Sequence, residues 1–251
     1  INLEDLSVVK ESHPDIKLIF TTHLLGFHSN VAKLREAFPN AIVAEDCCEA
    51  HGVTDESGNR MNPNSVGATF SFYFGHHITT IEGGFISTND TELYDLMRMK
   101  RSHGLAREAS PVTYKKYQEL YPDIIPTFLF VTDGYNFRND EISAVLGLEQ
   151  IKNLDRFINI RNQNYKQYHE ILSKYSHLFY VPKCENTMSS FTLPFVCKNK
   201  KTYSALIEQF KKYKNELIEV KKSYAKLCGA DFILVDKVDK HFFDDEFDSI
   251  N

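Results

Sequence analysis

An α/β fold is what this sequence predicts, and three observations predict it. Short apolar, β-branched runs alternate with amphipathic segments through the first half of the chain. One run closes on the carboxylates Glu45-Asp46, and ligand sites of open α/β sheets lie at the carboxyl ends of strands. The composition, 42% hydrophobic and 25% charged, is that of an ordinary soluble globular chain.

The elements follow in order. Ile16 to Thr22 reads as a buried strand. Ser29 is placed to cap a short helix with Val31, Leu34 and Phe38 on one face, stopped by Pro39. Ala41 to Ala44 is the next buried strand, and Asp55 to Arg60 a turn. Thr69 to Tyr73 and Gly84 to Thr88 read as two more strands. Glu92 to Arg101 has helical spacing, whereas Gly104 to Asp133, with Pro111, Pro122 and Pro126, reads as a long irregular loop. Glu141 to Leu154 and Arg161 to Tyr175 are amphipathic helices, the first with an acidic first turn. A strand from Ser189 to Cys197, a helix from Thr202 to Tyr213 and a short strand from Leu217 to Val220 suggest a small α+β domain at residues 155–251. Residues 1–154 then belong to a large domain.

Charge and cysteines narrow the function. A net charge of −5 argues against a broad nucleic-acid surface but leaves room for an anionic ligand in a local pocket. No apolar stretch spans a bilayer, so no membrane partner is expected. The start, Ile1 to Leu6, is acidic, lacks a signal-peptide pattern and has no initiator Met, so it reads as the inside of a longer protein. Cys47, Cys48, Cys184, Cys197 and Cys228 are odd in number and form no Cys-x-x-Cys pair, as expected of reduced thiols in the cytoplasm. His51, His76, His77 and His103 have no familiar zinc spacing, and no metal is expected.

The most informative run is Ser71-Phe72-Tyr73-Phe74-Gly75-His76-His77-Ile78-Thr79-Thr80-Ile81-Glu82-Gly83-Gly84. It resembles the cofactor-lysine segment of the pyridoxal-phosphate sugar aminotransferases, the DegT/DnrJ/EryC1/StrS family, with His76 at the lysine position. A lysine amine can bond covalently to pyridoxal phosphate. An imidazole cannot, but it can move a proton near neutral pH. A dehydratase branch of the family shares the substitution. Two further segments carry the resemblance, Glu45-Asp46-Cys47-Cys48-Glu49-Ala50-His51-Gly52 and Gly134-Tyr135-Asn136-Phe137-Arg138.

The resemblance implies the fold of aspartate aminotransferase, pyridoxal-phosphate fold type I, over roughly Asn2 to Tyr175. It implies pyridoxal 5'-phosphate and pyridoxamine 5'-phosphate as cofactors and His76 as the catalytic base. Asp46 falls on the partner of the pyridine nitrogen and Ser71 on a phosphate donor. Glu49 falls beside the cofactor, where it could orient His76. Asn136 falls on the residue that reaches the cofactor phosphate of the neighbouring subunit, which implies a homodimer with shared sites. Arg107 is a candidate for a substrate oxygen. His77 is assigned no role, and Gly83-Gly84 is expected to serve a positive φ or a close backbone approach. The implied reaction is C3 dehydration of a nucleotide-linked 4-keto-6-deoxyhexose, with GDP-4-keto-6-deoxy-D-mannose the expected substrate and glutamate the amino donor. The family normally carries more than about one hundred residues ahead of the segment matching Ile1. A truncated or degenerate non-catalytic homologue is therefore one alternative. A sugar aminotransferase using another lysine is the second, disfavoured because no lysine lies between Lys33 and Lys100.

Overall fold

The computed structural model describes residues 4–60 and 64–227. The chain divides into two compact units. The first holds the chain to Ser176 together with Val181–Phe195, and the second holds His177–Tyr180 and the chain from Val196. The boundary expected at residue 155 falls inside the first unit.

The first unit is built on a four-stranded sheet of β1 (Leu18–Thr22), β2 (Ile42–Asp46), β3 (Gly67–Ser71) and β4 (Gly84–Ser87), in that spatial order. The first three strands are parallel and β4 is antiparallel to β3. Thr22 pairs with Asp46 and Asp46 with Thr69, so the parallel strands end together at one carboxyl edge.

Alternation along the strands separates two faces. One is core, with Val43, Glu45 and Ala68 at 1% exposure or less. On the other, Leu18, Phe20, Ile42 and Ile86 are each more than half exposed. The strands expected to be buried throughout are thus buried on one face only, because no described element packs closely over the other.

Helix α1 (Glu4–Ser12) precedes the sheet, and α2 (Val31–Ala37) joins β1 to β2 while burying Val31 and Leu34. Its cap is Asn30, not Ser29. Asn30 takes a left-handed φ of 50° and its side chain accepts from Lys33 N at 3.2 Å. The Ser29 backbone N–H is drawn instead to the His23 ring.

Helix α3 (Thr91–Arg101) starts on the cap Asp90 and ends in Arg98, Lys100 and Arg101, in agreement with the helix dipole. The stretch expected as a loop contains α4 (Pro111–Leu120) and short 3-10 turns at Ala106–Glu108 and Pro126–Phe128. Ser110 caps α4, and Pro111 occupies the first turn, where its missing N–H costs nothing. Buried Asp95 of α3 clamps this start, accepting from Ser110 N and Oγ at 2.7 Å and from Thr113 Oγ1 at 2.5 Å. Burial opposes its charge, but those bonds outweigh it and hold the carboxyl below the usual range.

Helix α5 (Glu141–Ile151) is capped by Asp140 and buries none of its residues, with Ile142 at 78% exposure. Helix α6 (Leu154–Ser173) lies within the first unit because Arg161 Nη1 donates to Phe191 O and Asn162 bonds both Met188 and Ser190.

The second unit has the strand pair β5 (Phe179–Tyr180) and β6 (Val196–Cys197), then α7 (Lys200–Leu227). The strand expected from Ser189 shrinks to β6. The strand expected at Leu217 to Val220 is helix, since a short apolar run suits either period. Cys228 and the acidic end lie outside the described residues. Among the described residues no helix is long and apolar enough to cross a membrane.

Candidate active site

The carboxyl edge of β1, β2 and β3 collects the residues singled out by sequence. Asp46 ends β2. Its Oδ1 accepts from Cys48 N at 3.0 Å and its Oδ2 from Thr22 Oγ1 at 3.5 Å. Burial and the Asp46 carboxylate push the Cys48 thiol up to about 11, so it stays protonated beside that charge. Ser71 ends β3 and shares the open face with Asp46 and Thr69, because paired residues point the same way. Ser71 Oγ accepts from Tyr73 N at 3.2 Å, which leaves its hydroxyl proton to be donated.

His76 lies in the turn that follows. Its backbone N donates to Tyr73 O at 3.1 Å, and its ring packs 5.4 Å from Phe191. The connection to β4 is stitched by Thr79 Oγ1 and Thr80 N, both donating to Phe72 O, and by Thr80 Oγ1 donating to Glu82 O. Gly83 and Gly84 are both needed for this return. Gly83 has φ +143°, and a Cβ on Gly84 would come within 2.7 Å of Phe70 O.

No hydrogen bond among the described residues joins Glu49 to His76. Glu49 Oε2 accepts from Leu25 N at 2.9 Å and braces a turn in which Leu25 itself has φ 54°. His77 is buried, with Nε2 3.1 Å from Ser189 Oγ. Burial, then Arg161, lowers its pKa to about 3, so it is a neutral packing group.

The sequence reading missed a buried pair beneath this edge. His23 Nε2 lies 2.8 Å from Glu45 Oε2, and His23 Nδ1 accepts from Ser29 N at 3.0 Å. With Nδ1 accepting, Nε2 carries the proton and donates it to Glu45. His23, Glu45 and Cys47 place ligand-type atoms within 4.8 Å of one another. Both imidazole nitrogens are already engaged, so His23 and Glu45 form a hydrogen-bonded brace, and burial pushes the neighbouring Cys47 thiol far up. The signal of the brace, a His one residue past β1 and a Glu one residue before Asp46, spans two strands and cannot be seen in either alone.

Two predicted residues lie elsewhere. Arg107 Nη1 donates to Thr127 O at 3.1 Å. Its neighbour Glu108 accepts from Arg138 at 3.1 Å, which ties the Gly134–Arg138 segment to this loop. Asn136 is exposed and pairs in an isolated bridge with Ser102. No hydrogen bond among the described residues joins Asn136 or Arg107 to Asp46, Ser71 or His76.

Residues 2–231 match the model of the DegT/DnrJ/EryC1/StrS aminotransferase family. The chain belongs to that family. It is 34% identical over 202 residues to the GDP-4-keto-6-deoxy-D-mannose 3-dehydratase of Escherichia coli O55:H7, covering 77% of this chain and 50% of that protein. It is 33% identical over 165 residues to the Yersinia pseudotuberculosis enzyme of the same name, covering 64% and 42%. The E. coli dehydratase structure with bound hydrated PLP superposes with a TM-score of 0.71 at 28% identity, over 83% of this chain and 55% of that one. The expected pyridoxal-phosphate α/β architecture is therefore the one found. The chain spans about half the length of the relatives it matches.

Proposed function

We propose that this chain carries the proton-handling side of a pyridoxal-phosphate-dependent C3 dehydratase of a nucleotide-linked 4-keto-6-deoxyhexose. GDP-4-keto-6-deoxy-D-mannose is the substrate and glutamate the amino donor. The observation behind it is His76, at the family's lysine position, in the turn leaving the strand edge that bears Asp46 and Ser71.

The residues present fit the cofactor. Asp46 supplies a carboxylate with lone pairs to spare on the open face, and Ser71 has an uncommitted hydroxyl proton. Bound there, the pyridine ring supplies an electron sink. Asp46 would keep the ring nitrogen protonated through its charge, and Ser71 would donate to the phosphate. His76 offers no amine for covalent attachment, so its imidazole remains available as a base. It takes a proton at one ring nitrogen and returns it to the departing C3 hydroxyl, which leaves as water. Arg107 would contact a substrate oxygen with the N–H groups that Thr127 does not occupy.

Asn136 would serve the phosphate of a partner subunit in a two-fold dimer. Its exposure, and the exposed apolar side of α5, support that reading. Cys47, Cys48, Cys184 and Cys197 are free, which supports a cytoplasmic setting.

The test is titration of the purified chain with pyridoxal and pyridoxamine phosphate, followed by mass analysis of the sugar product with glutamate present. Saturable cofactor absorbance and a product lacking the C3 oxygen are expected. A chain that gains no cofactor absorbance would be the non-catalytic homologue. An aminated product that keeps its C3 oxygen would mark an aminotransferase.

A further inference from the structure

Behind His76 lies a group of imidazoles that this reaction does not use. His51 is on the turn after β2, whereas His76 and His77 are on the turn after β3. His51 is 3% exposed, and apart from the nearby Ser71 carbonyl its ring meets no hydrogen-bonding group. His76 Nδ1 and His77 Nδ1 are buried and unpaired. Ser189 explains the last of these. Its one hydroxyl proton goes to His51 O at 2.5 Å, so its oxygen accepts from His77 Nε2–H at 3.1 Å, and His77 Nδ1 is left bare.

An unpaired buried polar atom is costly because it has given up its bonds to water and gained none in return. Buried ring nitrogens so sparsely bonded, walled by Phe70, Phe72 and Phe191, are therefore a costly arrangement for packing alone. The His51 and His76 ring centroids are 6.2 Å apart. No direct hydrogen bond joins them, so a proton passing between the two rings needs a carrier, and a water with one bond to each is the simplest.

We propose that His51 is the inner proton partner of His76, connected to it by a single water held between the two rings. The proposal rests on the reading of His76 as the base. When His76 takes a proton at Nε2, the proton on Nδ1 passes to the water, and the water passes one of its own to His51. His76 is then neutral again with its proton on Nε2, and the reverse sequence returns the proton. One proton moves, and nothing is oxidised or reduced.

His51 is built to hold that proton only briefly. Burial first, and the positive charge of His76 second, lower its pKa to about 4, while the Ser71 carbonyl works the other way. Arg161 on α6, facing His77, adds positive charge to the cluster. His51 is thus a positioning and relay residue, not one that touches substrate.

The experiment is a pH titration of the 251-residue chain by NMR of its histidine ring nitrogens, without cofactor. In the wild type, the His51 signals should shift at the His76 protonation step as well as at His51's own, lower one. His51→Phe removes the acceptor that the water offers to the His76 cation, while His51 itself carries no charge at that step. The His76 midpoint should therefore fall by on the order of one pH unit, a tenfold change. His51→Gln, whose carbonyl can accept from the same water, should restore most of it. A His51 signal that does not move at the His76 step in the wild type overturns the proposal, and that result needs no variant to fold. An unmoved His76 midpoint in His51→Phe, or no recovery in His51→Gln, overturns it as well. Failure of cofactor binding would instead sink the proposed function and leave this coupling untouched.

Discussion

Asp46 braces the end of its strand and still presents its carboxylate to the open face. Its oxygens accept from Cys48 N and Thr22 Oγ1, yet it faces the open side of the sheet together with Ser71. Replacing it with Asn keeps the shape and removes the charge. Asp46→Asn should lower turnover by at least about tenfold while cofactor affinity changes far less, because the phosphate contacts remain. Steady-state rates set against a cofactor binding curve would check this, and equal losses in both would contradict it. At this scale a motif names positions, and the fold brings the three it names, Asp46, Ser71 and His76, to one strand edge and the turn that leaves it. The sequence was silent where a role depends on a partner brought in by folding. Glu49 was expected beside the cofactor, and its bond to Leu25 N, made across two loops, could not be read from its own segment. His23 drew no attention because its partner Glu45 is on another strand. Ser29 looked like a cap, but the His23 ring claims its N–H and Asn30 caps the helix.

At the scale of elements, the four strands of the first unit were legible because each is an apolar run ended by a turn or a carboxylate. Helix α4 was hidden because Pro111 looks like a breaker in a linear reading, although the first turn of a helix tolerates it. The turn after β1 shows how tightly elements meet near the site. Gly26 has φ +89°, and a Cβ there would lie 1.9 Å from Ser189 O, a backbone atom that cannot swing aside. Gly26→Ala should destabilise the first unit by about 2–4 kcal/mol, from overpacking plus the left-handed backbone. Chemical denaturation would measure it. An unchanged midpoint would mean that the turn and the Met188–Phe191 segment are looser than these contacts describe. The same change should disturb the Glu49 bond to Leu25, so it tests the support of the site as well as its stability.

At the scale of the whole molecule, the parallel fold was legible but the domain boundary was not. A break after Leu154 looked natural between two helices. Side chains of α6 then turn out to hold Met188, Ser190 and Phe191, bringing a distant stretch of chain into the first unit. Assembly also belongs here. Helix α5 exposes Ile142, Val145 and Leu148 at 78%, 61% and 65%, a patterned apolar side that a two-fold partner would cover. Ile142→Glu should convert a dimer to monomer in sedimentation with little change in the fold, since Ile142 packs against little within its own chain. A wild-type chain that stays monomeric as concentration rises, or a variant that still dimerises, would count against the proposed shared site.

The central claim is that His76 stands where a cofactor-bonding lysine would stand and leaves that bond unmade. Intact-mass analysis after borohydride reduction, with pyridoxal phosphate bound, tests it most directly. The wild type should bind the cofactor and show no added mass under denaturing conditions. His76→Lys should gain the mass of one reduced cofactor, mapped by peptide digestion to residue 76. A His76→Lys chain that binds pyridoxal phosphate yet traps none of it at that residue would contradict the assignment, as would a wild-type chain that traps it elsewhere.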